Sequence, residues 1–186
     1  NDKSSINRVY SEEIKAELKS LYSLDDEVYC KNSLGKVDFS DVEFIFSTWG
    51  MPECSKADVN KYLPKLKAVF YAAGSVQGFA RPFLENGVKV FSAWQANAIP
   101  VVEYAVAQIV LANKGFFAMP NMVKADYKNA QKFFSNYKGN YKAKVGILGD
   151  GAIGSQVIDR LKAYRLEVYV YSIQTTEERS KEIENH

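Results

Sequence analysis

The sequence has a single histidine, His186, and it stands at the last of 186 positions. A Ser-His-Asp triad and the common zinc sites need an internal imidazole, so neither is built from this chain and no metal is implied. Cysteine is scarce as well: Cys30 and Cys54 fit neither metal-ligand nor C-x-x-C spacing. They read as reduced thiols of a cytoplasmic protein. Net charge is nearly absent, +2 from 24 basic and 22 acidic side chains. That removes the electrostatic case for a nucleic-acid partner. No apolar run reaches the roughly 20 residues that span a bilayer. The longest, residues 99–112, is broken by Glu103 and Gln108 and reads as a helix buried on several sides, not a membrane helix. Residues 1–8 are polar and lack the apolar core of a signal peptide. What is present is ordinary globular composition, 47% hydrophobic and 25% charged, which excludes wholesale disorder.

Helical and extended patterns alternate along the chain. Ser11 is placed to cap a helix with Glu12 and Glu13 in its first turn and Ile14, Leu18 and Leu21 on one face. Residues 27–30 and 42–46 read as strands, 55–62 as a helix, and 66–71 as a strand. A small-residue turn follows at 72–75, then a short helix to about 85 and a strand at 88–91. Residues 97–100 open the apolar helix, with Pro100 suited to its first position. Between residues 121 and 144 lysines outnumber acids and alternate with aromatics. This reads as an exposed helix and connector whose aromatics pack inward and whose lysines face water. Strands separated by helices imply an α/β protein with parallel sheets, whose ligands sit beyond the carboxyl ends of the strands.

One motif is strong. An apolar strand at 144–148 runs into a G-x-G-x-x-G formed by Gly149, Gly151 and Gly154, and then into a helical stretch with Ile153, Val157 and Leu161 at helical spacing. The next strand, 168–171, completes a unit of the length expected for dinucleotide binding. Gly149 permits the tight turn, Gly151 the approach of a pyrophosphate, and Gly154 close helix–strand packing. Ala152 and Ile153 lie where backbone N–H groups at the helix N-terminus meet phosphate. The tip of the second strand, where an acid accepts ribose hydroxyls in such sites, is Ser172. Serine leaves room for a 2′-phosphate, but no Arg or Lys follows before Arg179. NAD and NADP both remain open.

Three stretches together resemble the D-isomer-specific 2-hydroxyacid dehydrogenase family. Residues 66–76 are similar to its strand and substrate-binding glycine loop. Residues 97–103 resemble the Asn and V-A-E that open its interdomain helix. Residues 145–154, with the strand ending at Ser172, match its nucleotide fingerprint in spacing. The resemblance implies a flavodoxin-like substrate domain over residues 1–99, without the family's first strand. The first half of a Rossmann dinucleotide-binding domain follows over residues 100–186. It implies hydride transfer between NAD or NADP and the C2 of a small D-2-hydroxy or 2-oxo acid, in the cleft between domains of a homodimer. By position, backbone N–H groups at Ala73, Gly74 and Ser75 would hold the substrate carboxylate as an anion nest, and Trp49 would line the pocket. The family's catalytic Arg, Glu and His have no counterparts here, and His186 comes too early in the order. The segment thus reads as a fragment that ends before the catalytic half. Arg165 stands where the family commonly has glycine just past the helix. Some relatives are nucleotide-sensing, dimerising corepressors, which is the alternative function on the same fold.

Overall fold

Short runs of bulky apolar residues bounded by turns form strands, and three of them make a parallel sheet in the computed structural model, which describes residues 4–135, 137–173 and 176–184. His186 and Gln174 lie outside the described residues. The chain divides into two units, Asn1–Asn97 and Ala98–His186.

In the first unit the sheet runs in the order β1 (Phe44–Ser47), β2 (Ala68–Tyr71), β3 (Lys89–Ser92), all parallel. Helix α3 (Lys56–Tyr62) starts at a capping box in which Ser55 and Asp58 satisfy each other's backbone N–H groups. Together with α4 (Ala80–Leu84) it covers one face, where Val59, Leu63, Val69, Phe79 and Phe83 are buried. The opposite face is aromatic. The register Phe46↔Phe70 and Phe70↔Phe91 places three rings in one row. They stack with centroids 5.2 and 5.1 Å apart and planes within 12°.

Two helices precede the sheet. The first, α1 (Ser4–Val9), arises from residues that carry no apolar periodicity, and α2 (Glu12–Leu21) begins where Ser11 accepts the Ile14 N–H. Their junction residue Tyr10 and the α2 C-cap Tyr22 pack on Phe46 and Phe44. The expected apolar face of α2 is not buried: Ile14 and Leu21 are exposed, because the contacts to the sheet are made by the tyrosines beyond the helix ends. Residues 27–30 form no strand. Cys30 N–H bonds the Ser33 hydroxyl and Ser33 N–H the Cys30 carbonyl, so local hydrogen bonds at a 3₁₀ turn use groups a sheet ladder would need.

Helix α5 (Trp94–Asn113) is longer than the apolar stretch that announces it. Asn97 N–H already bonds the Ala93 carbonyl, so a turn of helix precedes Pro100, which is interior and not at the first position. Its missing N–H costs one hydrogen bond to the Ala96 carbonyl. Because α5 begins before the apolar run, it is long and apolar enough to cross a bilayer by length and composition, a test that core helices also pass. Burial on several sides is not found. Only Ala98, Val102 and Val106 are buried, and Ile99, Val101 and Tyr104 are exposed.

In the second unit α6 (Met119–Ala125) and α7 (Tyr127–Phe134) follow, with Asp126 capping α7 through the N–H groups of Lys128 and Asn129. Phe133, Phe134 and Tyr137 pack on one another, whereas Tyr127 and Tyr141 face solvent, so the aromatics here turn inward only in part. Strands β4 (Ala143–Leu148) and β5 (Leu166–Tyr171) pair in parallel around α8 (Gly154–Leu161). Strict alternation puts Val145, Ile147, Leu166 and Val168 against Val102, Val106, Val157 and Leu161. The other face, with Leu148, Tyr169 and Tyr171, is uncovered in this chain. Arg165 has no left-handed backbone, and its carbonyl accepts the Lys142 N–H, so this turn makes no demand for glycine. Helix α9 (Glu177–Glu184) ends the described chain.

Candidate functional site

The glycine turn is built by β4 and β5 together. Gly149 N–H bonds the Tyr171 carbonyl at 2.8 Å, which fixes the turn at the tip of both strands. The backbone at Gly149 then swings to φ +97°, a conformation that side chains disfavour. Gly154 opens α8 directly above it, and a Cβ there would lie 2.0 Å from the Gly149 carbonyl oxygen. Gly151 differs: a Cβ built on it meets nothing within 4 Å, so no neighbour in the fold requires glycine at that point.

The hydrogen bonds of the turn leave its donors available. The Gly151 carbonyl accepts the Ser155 N–H and hydroxyl, each at 2.9 Å, and the Ala152 carbonyl accepts from the Gln156 side chain at 2.8 Å. The amides of Ala152 and Ile153 have no partner among the described residues, and no side chain caps α8. Orphan donors at the positive end of a helix dipole are what an anion requires. The turn therefore offers two backbone donors to an anion such as a dinucleotide pyrophosphate. Ile153 is partly exposed beside it. Ser172 follows the last residue of β5 and is half-buried.

A contribution that sequence spacing hides comes from α9. Arg179 lies seven positions past Ser172, yet its Nε is 3.3 Å from Asp150 Oδ2 in the glycine turn. Its Nη2 is 3.5 Å from Asp159 Oδ1 on α8.

The second candidate loop, after β2, is held from three directions. Thr48, itself buried, donates to the Ala72 carbonyl at 3.3 Å. Ser92, the last residue of β3, directs its hydroxyl at the carbonyls of Ala73 and Gly74, 3.1 and 2.5 Å away. Asn97 packs its amide so closely that a Cβ on Gly74 would stand 3.2 Å from Nδ2. With the carbonyls turned to Ser92, the N–H groups of Ala73, Gly74 and Ser75 make no hydrogen bond among the described residues. None of the three has left-handed backbone, so the consecutive N–H groups are presented by an ordinary right-handed and extended turn. Its free donors result from side-chain anchoring instead. Ser92, Thr48 and Asn97 hold this loop in place; Ser92 carries no sequence signal, because a hydroxyl at a strand end belongs to no motif.

Trp49 follows β1 and is 51% exposed. It lines a cavity of about 1040 Å³ with Tyr10, Lys15, Tyr22 and Thr48, to which Ala73, Gly74 and Ser75 do not contribute. Above that sheet edge the Tyr10 hydroxyl donates to the carbonyls of Ser47 and Phe70 at 3.1 and 3.2 Å. Burial raises its pKa to about 12, against the opposing effect of its hydrogen bond to Ser47.

Residues 106–186 match the model of the D-isomer specific 2-hydroxyacid dehydrogenase, NAD binding domain. No curated protein matches the sequence. Among solved structures, a 2-hydroxyacid dehydrogenase from Ketogulonicigenium vulgare is 16% identical with a TM-score of 0.67, over 91% of this chain and 54% of that one. D-lactate dehydrogenase from Aquifex aeolicus, complexed with NAD and lactic acid, is 18% identical with a TM-score of 0.62, over 92% and 51%. NAD-dependent formate dehydrogenase from Staphylococcus aureus, in complex with NAD, is 18% identical with a TM-score of 0.62, over 95% and 55%. The chain thus spans about half the length of these proteins. The likeness shows the fold: a flavodoxin-like parallel sheet followed by the first strands of a Rossmann domain.

Proposed function

We propose that this chain, which carries in residues 106–186 the NAD-binding domain of the D-isomer specific 2-hydroxyacid dehydrogenases, serves an oxidoreductase acting on a small 2-hydroxy or 2-oxo acid. A hydride passes between C2 of that acid and NAD. Residues 1–99 hold the acid and residues 100–186 the dinucleotide. The observation that carries this reading is the glycine turn. Gly149 and Gly154 are glycine because the fold demands it, and Gly151 is glycine where the fold does not. A backbone left bare beside orphan amides is explained by a ligand that comes close to it.

The nicotinamide, when bound, supplies or accepts the hydride. The chain's own residues bind and orient. Amides of Ala152 and Ile153 take the pyrophosphate, and Gly149, Gly151 and Gly154 leave it room. Ser172 hydrogen-bonds the adenosine ribose; since it does not repel a 2′-phosphate, NADP is the weaker second cofactor. The amides of Ala73, Gly74 and Ser75 take the carboxylate of the acid, and Trp49 borders it. The protein acts as a cytoplasmic homodimer.

Calorimetric titration of the protein with NADH tests the assignment. Binding is expected, and Gly151→Val should abolish most of it while thermal unfolding stays unchanged, because the added Cβ touches only the ligand's space. Equal affinity in the wild type and Gly151→Val would overturn the dinucleotide site.

A further inference from the structure

An acid is a poor choice beside a pyrophosphate, yet the turn contains one. Asp150 follows Gly149, and its side chain is 5% exposed. Its Oδ1 is buried and accepts no hydrogen bond among the described residues, while Oδ2 faces Arg179. An uncompensated carboxylate here would repel the ligand that the neighbouring amides attract, at a depth where solvent screens little.

Arg179 is itself oddly placed. Its backbone N–H bonds the Thr176 hydroxyl, which sets it in the first turn of α9. A cation at that end of a helix opposes the dipole, whereas Glu177 and Glu178 beside it follow the rule. The guanidinium lies against Asp150 and Asp159, and Lys162 completes the row at 3.2 Å from Asp159. Two cations and two anions thus alternate from α8 through α9 to the glycine turn. The row is neutral, and its Asp150 end lies in the turn.

We propose that Arg179 is a positioning residue for the dinucleotide: its ion pair with Asp150 cancels the one charge in the glycine turn that would repel the pyrophosphate, and ties α9 to that turn. The inference rests on the dinucleotide reading above. It assigns a cofactor role to a residue beyond the G-x-G-x-x-G, and it makes Asp150 and Arg179 dependent on each other. Arg179 without Asp150 is harmless to an anion. Asp150 without Arg179 is not.

The test compares charged and uncharged ligands on the full chain. NAD binding is followed by calorimetry and adenosine, which has no phosphate, by NMR. Arg179→Gln should weaken NAD about tenfold or more and leave adenosine unchanged; Asp150→Asn in the same protein should restore NAD. Loss of NAD and adenosine in equal measure, or no loss of either, would overturn the proposal. Should Arg179→Gln fail to fold, Asp150→Asn alone decides: it should bind NAD at least as tightly as the wild type, and a tenfold loss would overturn the proposal. Wild-type protein that binds no NAD would remove the dinucleotide reading itself, and this proposal with it. NAD binding by the wild type with an insensitive Arg179→Gln removes only the proposal.

Discussion

Gly154 opens α8 pressed against Gly149, so that a Cβ at 154 would stand 2.0 Å from the Gly149 carbonyl oxygen. That atom is backbone, tied into the strand tip by the bond from Gly149 N–H to Tyr171, and it cannot rotate away as a side chain would. Gly154→Ala is expected to destabilise the second unit by about 1–3 kcal/mol, the range for overpacking a close-packed site. Denaturant unfolding measures it. An unchanged midpoint would mean that helix and turn separate more easily than this contact allows.

Ser92 gives a parallel case in the first unit. Its hydroxyl is the side-chain anchor of the carbonyls at Ala73 and Gly74. Ser92→Ala should cost about 1 kcal/mol of stability, the usual net value of such a bond. It should also weaken binding of oxamate, a small 2-oxo acid mimic, several-fold. If oxamate affinity survives intact, the N–H groups of Ala73, Gly74 and Ser75 are not the carboxylate site.

At Ser172 the question is cofactor choice. A carboxylate there would accept ribose hydroxyls and repel a 2′-phosphate, whereas serine does only the first. The wild type should bind NADP measurably, and Ser172→Asp should shift preference toward NAD by about 1–3 kcal/mol. Titrating both proteins with both dinucleotides checks this. A wild type blind to NADP would show that the ribose is held by other groups.

Tyr10 makes stability depend on alkaline pH. Its pKa is raised by burial from 10.0 to about 12 in the folded protein, so between those values the folded state holds a proton that the unfolded chain has lost. The stabilisation is complete below about pH 10 and falls as pH rises toward 12. For a half-buried phenol, screened by solvent, the loss is on the order of 1–2 kcal/mol. Chemical unfolding from pH 9 to 12 should therefore show a steeper decline for the wild type than for Tyr10→Phe. Parallel declines would place the titration on other tyrosines.

Much of this protein is local and was legible as such. Ser11 caps α2 as its place before Glu12 and Glu13 suggests, whereas Ser55, which reads as the first helical residue, is itself the cap of α3. The glycines at 149 and 154 mark a tight strand-to-helix turn, because a left-handed backbone and close helix–strand packing each need glycine there. The alternation in β4 and β5 marks their buried face directly. Where local signals compete, the pattern along the chain misleads. Residues 27–30 look like a strand, but the N–H and C=O of Cys30 are taken by a 3₁₀ turn. Pro100 looks like a helix start, but Ala93 starts the helix earlier.

Tertiary structure alone decided which distant residues meet. Phe46, Phe70 and Phe91 become a single stack only through the parallel register, which no residue spacing encodes. Ser92 reaches the loop after β2 because β2 and β3 are neighbours, and a strand-end hydroxyl carries no motif. Arg179 reaches Asp150 because β5 returns the chain beside β4 and α9 folds back on the turn, closing a gap of 29 positions. Periodicity and motif spacing follow from forces between residues a few places apart. Contacts across such gaps depend on how the elements pack, and there the sequence is silent until it is folded.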